Sequence, residues 1–203
     1  MVKARYVTLL KARLNVLKEQ ILAQQPKKKC LWLGLALLIV VVDQLTKYIA
    51  SDNLTYAQPA AFLPYFNFTL LHNYGAAFSF LSDAGGWQRI FLSIIAFVVS
   101  VVLVFWILCI KPEKKIEMLG LSLVLGGAVG NLWDRIYLGY VVDFIDWFYT
   151  TGTSDCLSFF YYIFSSQTCH WPAFNIADSS IMLGAACLII DMLFFETRKI
   201  TLE

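Results

Sequence analysis

Four apolar runs constrain this chain more than any other feature. Cys30–Ala50, Arg89–Ile110, Ile116–Trp133 and Phe174–Phe195 each approach the ~20 residues that a helix needs to cross a hydrocarbon core. Composition agrees. The chain is 59% hydrophobic and 15% charged, whereas a soluble domain carries about 25% charged residues. The expected fold is mainly α, a four-helix transmembrane bundle forming one domain over residues 30–196. A net charge of +2 is too small to point to a nucleic-acid partner. A basic start before an apolar run is also the pattern of a cleavable signal peptide. Here Asp43 and Lys47 interrupt the stretch where cleavage would fall and no A-x-A follows, so the first span reads as retained.

The basic residues set an orientation. Lys3, Arg5, Lys11, Arg13, Lys18 and Lys27–Lys29 crowd the segment 1–29, Lys111, Lys114 and Lys115 a short turn, and Arg198 and Lys199 the tail 197–203. The long loops 51–88 and 136–172 hold almost no Lys or Arg beyond Arg89 and Arg135 at their edges. The positive-inside rule therefore puts both termini in the cytoplasm and both long loops outside. Within 1–29, Tyr6, Leu9, Leu10, Leu14, Leu17 and Ile21 recur at helical spacing. This is either an amphipathic helix on an anionic leaflet or a flexible basic extension. The stretch FLPYFNFTLLHNYGAAFSF in the first loop is rich in aromatic and β-branched residues and reads as one or two strands at the membrane surface. Its Gly75, Ala76 and Ala77 allow close backbone approach. Cys30, Cys109 and Cys187 fall in apolar runs and read as small buried hydrophobes. Cys156 and Cys169 share the second loop and could form a disulfide if that loop faces an oxidising compartment.

This topology brings unusual polar residues to one depth. Asp43 and Lys47 lie near the outer end of the first span, Asn131, Asp134 and Arg135 near that of the third, and Asn175 and Asp178 at the outer start of the fourth. Spacings of three and four keep each set on one helix face. The stretch Gly126–Trp147 is the hub. Gly126-x-x-x-Gly130 offers a small-residue packing face, and Asp143 follows a turn at Gly139 inside the apolar VVDFIDW. A carboxylate among Val, Phe and Ile, near another on the next span, resembles a two-carboxylate hydrolytic site in which one proton is shared. Plainer assignments compete: a structural Asp43–Lys47 pair, a helix-end Asp134–Arg135 pair, a solvated Asp146, and interfacial Asp191 and Glu196. His72 and His170 are isolated. With no H-E-x-x-H and no clustered Cys and His, no metal site is expected, and no G-x-S-x-G elbow is present. A small transporter or proton-relay protein also carries intramembrane charges, but such folds show internal repeats and midplane sites. A structural assembly factor would leave two acids at matching depth unexplained.

Taken in order, Asp43-Gln44-x-x-Lys47, Asn73-Tyr74-Gly75-Ala76-Ala77-Phe78, Gly126-Gly127-Ala128-x-Gly130-Asn131-x-x-Asp134-Arg135, Val141-Val142-Asp143-Phe144 and Phe174-Asn175-x-Ala177-Asp178-Ser179 resemble the motifs of the lipoprotein signal peptidases, membrane aspartic peptidases also called signal peptidase II. The resemblance spans roughly residues 31–195. It implies a catalytic dyad of Asp143 and Asp178, with Asp43, Lys47, Asn73, Gly75, Asn131, Asp134, Arg135 and Asn175 shaping the site or holding substrate. It implies no cofactor. The implied substrate is a bacterial prolipoprotein cut before a diacylglyceryl-modified cysteine, and the implied setting is the cytoplasmic membrane with the site on the periplasmic side. Membrane lipids would be its other partners, and a monomer is expected. Two departures stand out. Segment 1–26 is longer than the family core needs, and Thr150–His170, with Cys156 and Cys169, reads as an insertion beside the site.

Overall fold

In the computed structural model, the residues described are 26–75, 86–111, 113–150 and 168–196. The basic segment 1–25, Ala76 and Ala77, most of the 150–170 insertion with Cys156, and the tail lie outside the described residues. Among the described residues, four helices are long and apolar enough to cross a membrane. They are α1 (Pro26–Asn53), α2 (Trp87–Cys109), α3 (Lys115–Tyr137) and α4 (Ile176–Asp191), and α4 runs on into a π-helical turn, Met192–Glu196. The third span passes the expected end at Trp133, so Asp134 and Arg135 are helical residues. The fourth starts at Ile176, after the expected Phe174, because Asn175 caps it.

α3 sits at the centre, and small residues let its neighbours close on it. A Cβ on Gly126 would stand 2.7 Å from Ile39 of α1, and one on Gly127 would stand 2.3 Å from the Ala177 carbonyl of α4. The expected Gly126–Gly130 face is thus the contact with α1, while Gly127 admits α4 on the other side. Below this crossing, Ala36, Leu103, Ile107, Ile110, Met118, Leu121 and Leu125 form the buried apolar core. The remaining faces of α1, α2 and α4 display large apolar side chains such as Leu37, Ile94, Phe97 and Leu183, as spans facing lipid do. Cys30 and Cys109 lie exposed there and are not the buried residues the sequence suggested. Burial inside the protein is not what keeps an apolar side chain out of water when lipid can.

A four-stranded antiparallel sheet, β1 (Ala60–Leu63), β2 (Phe66–Asn73), β3 (Val141–Thr150) and β4 (Thr168–His170), is ordered β1-β2-β3-β4. The first loop, expected to hold one or two strands, supplies two. The second loop, expected as an aromatic loop alone, supplies the other two. Its VVDFIDWFYT is a short unbroken apolar run, a pattern that does not by itself separate strand from helix or loop. The register sets Asp143 opposite Leu71 and Val141 opposite Asn73. Phe174 then pairs with Ile145, its carbonyl accepting from Phe144 N and Ile145 N at 3.1 and 2.9 Å and its N–H donating to Ile145 O at 3.1 Å. This contact seats the start of α4 against the strand that carries Asp143.

Candidate active site

The site is assembled where the C-terminal ends of α1 and α3 meet β2, β3 and the first turn of α4. At its base is Lys47. Its ammonium lies 2.8 Å from Asp43 Oδ2 and 2.8 Å from Asp134 Oδ2, and it donates to Asn131 Oδ1 at 2.9 Å. An ammonium has three protons to give, and all three are placed. Asp43 and Lys47 are 0% and 3% exposed, so this is a buried cluster in which each charge-bearing group faces a partner of opposite type. The i,i+4 pair expected from sequence is present. Asp134 joins it through Lys47 instead of pairing with its neighbour Arg135.

The cluster also fixes elements around it. Asp43 Oδ1 accepts the Ala177 N–H at 2.9 Å, filling one of the orphan donors at the start of α4. Asp134 Oδ2 accepts Val142 N at 3.2 Å and so anchors the start of β3. Gln44 was not singled out from the sequence, although it lies inside the Asp43–Lys47 motif. It donates to Asp134 Oδ1 at 2.8 Å and to the Gly130 carbonyl at 3.2 Å, tying α1 to α3.

Above the cluster, three asparagines face two acids. Each asparagine has its carbonyl oxygen occupied by a donor that cannot turn around. Asn131 Oδ1 accepts from Lys47, so its amide nitrogen donates to Asp178 Oδ1 at 2.8 Å. Asn175 caps α4, its Oδ1 accepting Asp178 N at 2.9 Å, so its Nδ2 reaches Asp143 Oδ1 at 2.7 Å. Asn73 Oδ1 accepts Gly75 N at 3.0 Å, so its Nδ2 donates to Asp143 Oδ2 at 3.1 Å. A lysine and two backbone N–H groups, none of which can accept, thereby decide which end of each amide the acids see. Asn175 Nδ2 also approaches Asn131 Oδ1 at 3.2 Å, which joins the two asparagines between Asp143 and Asp178. Arg135 donates to the Gly75 carbonyl at 2.9 Å, holding the turn that orients Asn73.

The two acids differ in setting. Asp143, on β3, is 3% exposed. Burial, and next the charge of Asp178, push its carboxyl well above the usual carboxylate range. Asp178 is half-buried at the third position of α4, at the positive end of the helix dipole. Its Oδ2 accepts Asn175 N at 3.3 Å, completing a capping box. Two carboxylates in these surroundings can share one proton, the arrangement needed to activate a water and polarise a carbonyl together.

A second polar cluster lies further along β3. Asp146, expected as a solvated surface residue, is 0% exposed. It accepts from Thr69 Oγ1 at 2.6 Å and pairs with His170 Nδ1 at 2.7 Å. His170 is therefore not isolated, and nothing at local spacing could have linked it to an acid across the insertion. Nor does His72 stand alone. It stacks on Tyr140 with ring centroids 3.9 Å apart, and burial lowers its basicity. Cys169 is disulfide-bonded.

Comparison with known proteins points the same way. The family model described as signal peptidase (SPase) II matches residues 35–194. A lipoprotein signal peptidase of Acinetobacter baumannii is 52% identical over 169 residues, 83% of this chain and 86% of that protein. The lipoprotein signal peptidase of Teredinibacter turnerae is 52% identical over 163 residues, 80% of this chain and 87% of that protein. A bacterial membrane enzyme solved by the in meso method at 2.3 Å resolution superposes with a TM-score of 0.65 at 31% identity, over 83% of this chain and 90% of that one. With two acids framed by oriented amides at the head of a four-span bundle, and relatives this similar over most of the length, the chain belongs to the signal peptidase II family of peptidases.

Proposed function

We propose that this chain is an aspartic endopeptidase that removes the signal peptide from bacterial prolipoproteins, cutting before a diacylglyceryl-modified cysteine, with Asp143 and Asp178 as its catalytic pair. One observation carries this reading: Asn175 contacts both acids, donating to Asp143 and accepting from the backbone of Asp178. We assign the shared proton to Asp143, the more deeply buried of the two acids. Asp178 is the base.

Asp178 takes a proton from water as the oxygen attacks the scissile carbonyl carbon, and Asp143 gives its proton to the carbonyl oxygen. A gem-diol results. Asp178 then passes its proton to the leaving nitrogen while Asp143 recovers one from a gem-diol hydroxyl, and the C–N bond breaks. Both acids return to their starting states, with no covalent enzyme intermediate. Lys47, Asp43 and Asp134 hold the frame, and Asn73, Asn131 and Asn175 orient the carboxylates. Arg135 and Gly75 shape the wall beside them, and the lipid chains of the substrate stay against the apolar outer faces of the spans.

The setting is the cytoplasmic membrane, with both termini in the cytoplasm and the sheet on the periplasmic side. The distribution of Lys and Arg supports this orientation. The acid pair lies within one chain, which supports action as a monomer. The bonded state of Cys169 supports the expected disulfide with Cys156, and an oxidising periplasm suits such a bond.

Mass spectrometry of products from a matched pair of precursors, with and without the lipid on cysteine, tests the substrate. Cleavage immediately before the cysteine in the lipidated precursor alone is expected. Equal cleavage of both would contradict the assignment. A cysteine placed at Asp52 should react with an impermeant thiol reagent on intact spheroplasts, and reaction only after lysis would reverse the orientation.

A further inference from the structure

Arg89 lies in the first turn of α2 and is exposed, yet its guanidinium is bound to protein carbonyls. Nε donates to the Arg135 carbonyl at 2.7 Å and Nη2 to the Ile136 carbonyl at 2.8 Å. These are carbonyls of the last turn of α3, where no further helical N–H remains to meet them. The neighbouring groups are already arranged: Leu138 N and Gly139 N both turn back to Asp134 O, at 2.7 and 3.2 Å. Gly139 has φ +91°, and a Cβ there would stand 3.2 Å from Arg89 Nη1. Only glycine suits that backbone, and its bare Cα leaves room for the guanidinium. A planar fork meets two successive carbonyls in a fixed geometry, which the compact ammonium on a flexible lysine stem does not hold.

The turn so clasped is the one from which Arg135 reaches Gly75, at 2.9 Å. From Gly75 the path is short: Gly75 N to Asn73 Oδ1 at 3.0 Å, then Asn73 Nδ2 to Asp143 Oδ2 at 3.1 Å. We propose that Arg89 is a positioning residue for the peptidase reaction, locking the end of α3 so that Arg135 holds Gly75 and Asn73 stays aimed at Asp143. The proposal rests on the reading of Asp143 as catalytic. Among the described residues the side-chain hydrogen bonds of Arg89 go to the end of α3 and to neither acid, so the role assigned to it is alignment of the acid and not capture of the precursor.

The test is steady-state cleavage of a lipidated precursor by Arg89→Lys, Arg89→Ala, Arg135→Ala and the Arg89→Ala/Arg135→Ala double variant, each checked for a folded melt in detergent. Arg89→Lys keeps charge and stem, and it stands in if Arg89→Ala does not fold. Both Arg89 variants should lose about tenfold or more in kcat, the scale of a small misplacement of a reacting group, with KM little changed. The double variant should be no slower than Arg135→Ala alone. Full kcat in Arg89→Lys would overturn the proposal, because a bare charge at the interface would then suffice. A defect confined to KM, or losses that multiply in the double variant, would overturn it too. Asp143→Asn run alongside reports on the acid pair separately: activity there would sink the catalytic reading, while the Arg89–Arg135 coupling would still show whether one arginine acts through the other.

Discussion

Lys47 Nζ donates to Asn131 Oδ1 at 2.9 Å, and this bond leaves Asn131 only its NH2 group to offer Asp178. The lysine therefore has two roles, neutralising buried carboxylates and choosing the orientation of an amide. Lys47→Met should separate them. It leaves Asp43 and Asp134 buried without their cation, a loss of about 3–5 kcal/mol, read as a lower melting temperature in detergent. Adding Asp43→Asn and Asp134→Asn should recover much of that stability but not the activity, because Asn131 is still free to turn. Recovery of full cleavage in the triple variant would show that Lys47 acts through charge balance alone.

Asn175 likewise combines a cap with a bond to Asp143. Asn175→Ser keeps a good helix cap while removing the donor to Asp143. Melting should move little, while kcat should fall about 10- to 100-fold, on the scale of a misplaced reacting group. Asn175→Ala loses the cap as well and should cost roughly 1 kcal/mol more in stability. If Asn175→Ser matched the parent in kcat, the donor to Asp143 would be irrelevant to the reaction.

The raised proton affinity of Asp143 predicts a pH profile. Cleavage needs one proton on the acid pair, so the rate should fall on the alkaline side as Asp143 loses its proton, at a pH above the ordinary carboxylate range. Stability carries the same sign. The folded state holds this proton more tightly than the unfolded chain, so its contribution is complete below about pH 3.9 and fades as pH rises through the folded value. Asp143→Asn should flatten that part of the stability curve. An alkaline limb that began within the normal carboxylate range would contradict the burial-driven shift.

How much of this could be read from the residues differs between the two halves of the fold. The spans could, because a run such as Phe91–Leu108 has no other stable form in lipid, and the i,i+4 spacing of Asp43 and Lys47 already placed an acid and a base together. The meeting of Asn131, Asp143, Asn175 and Asp178 at one depth followed from span direction. The sheet was only half legible. Phe66–Asn73 showed strand character, but β3 and β4 depend on pairing across the chain, with Phe148 opposite His170, and local pattern does not encode a partner. For the same reason Asp146 looked solvated, because its partners Thr69 and His170 come from strands on either side. Gln44 and Arg89 were hidden differently: each acts on backbone carbonyls of α3, and a carbonyl is present at every residue, so nothing in the target's sequence marks it.

The acid pair is the claim on which the account rests, and single-turnover cleavage of a lipidated precursor by Asp143→Asn and by Asp178→Asn, each confirmed folded by its melt, addresses it most directly. Each variant should fall by about a thousandfold or more. Parent-like turnover in either one would contradict the assignment.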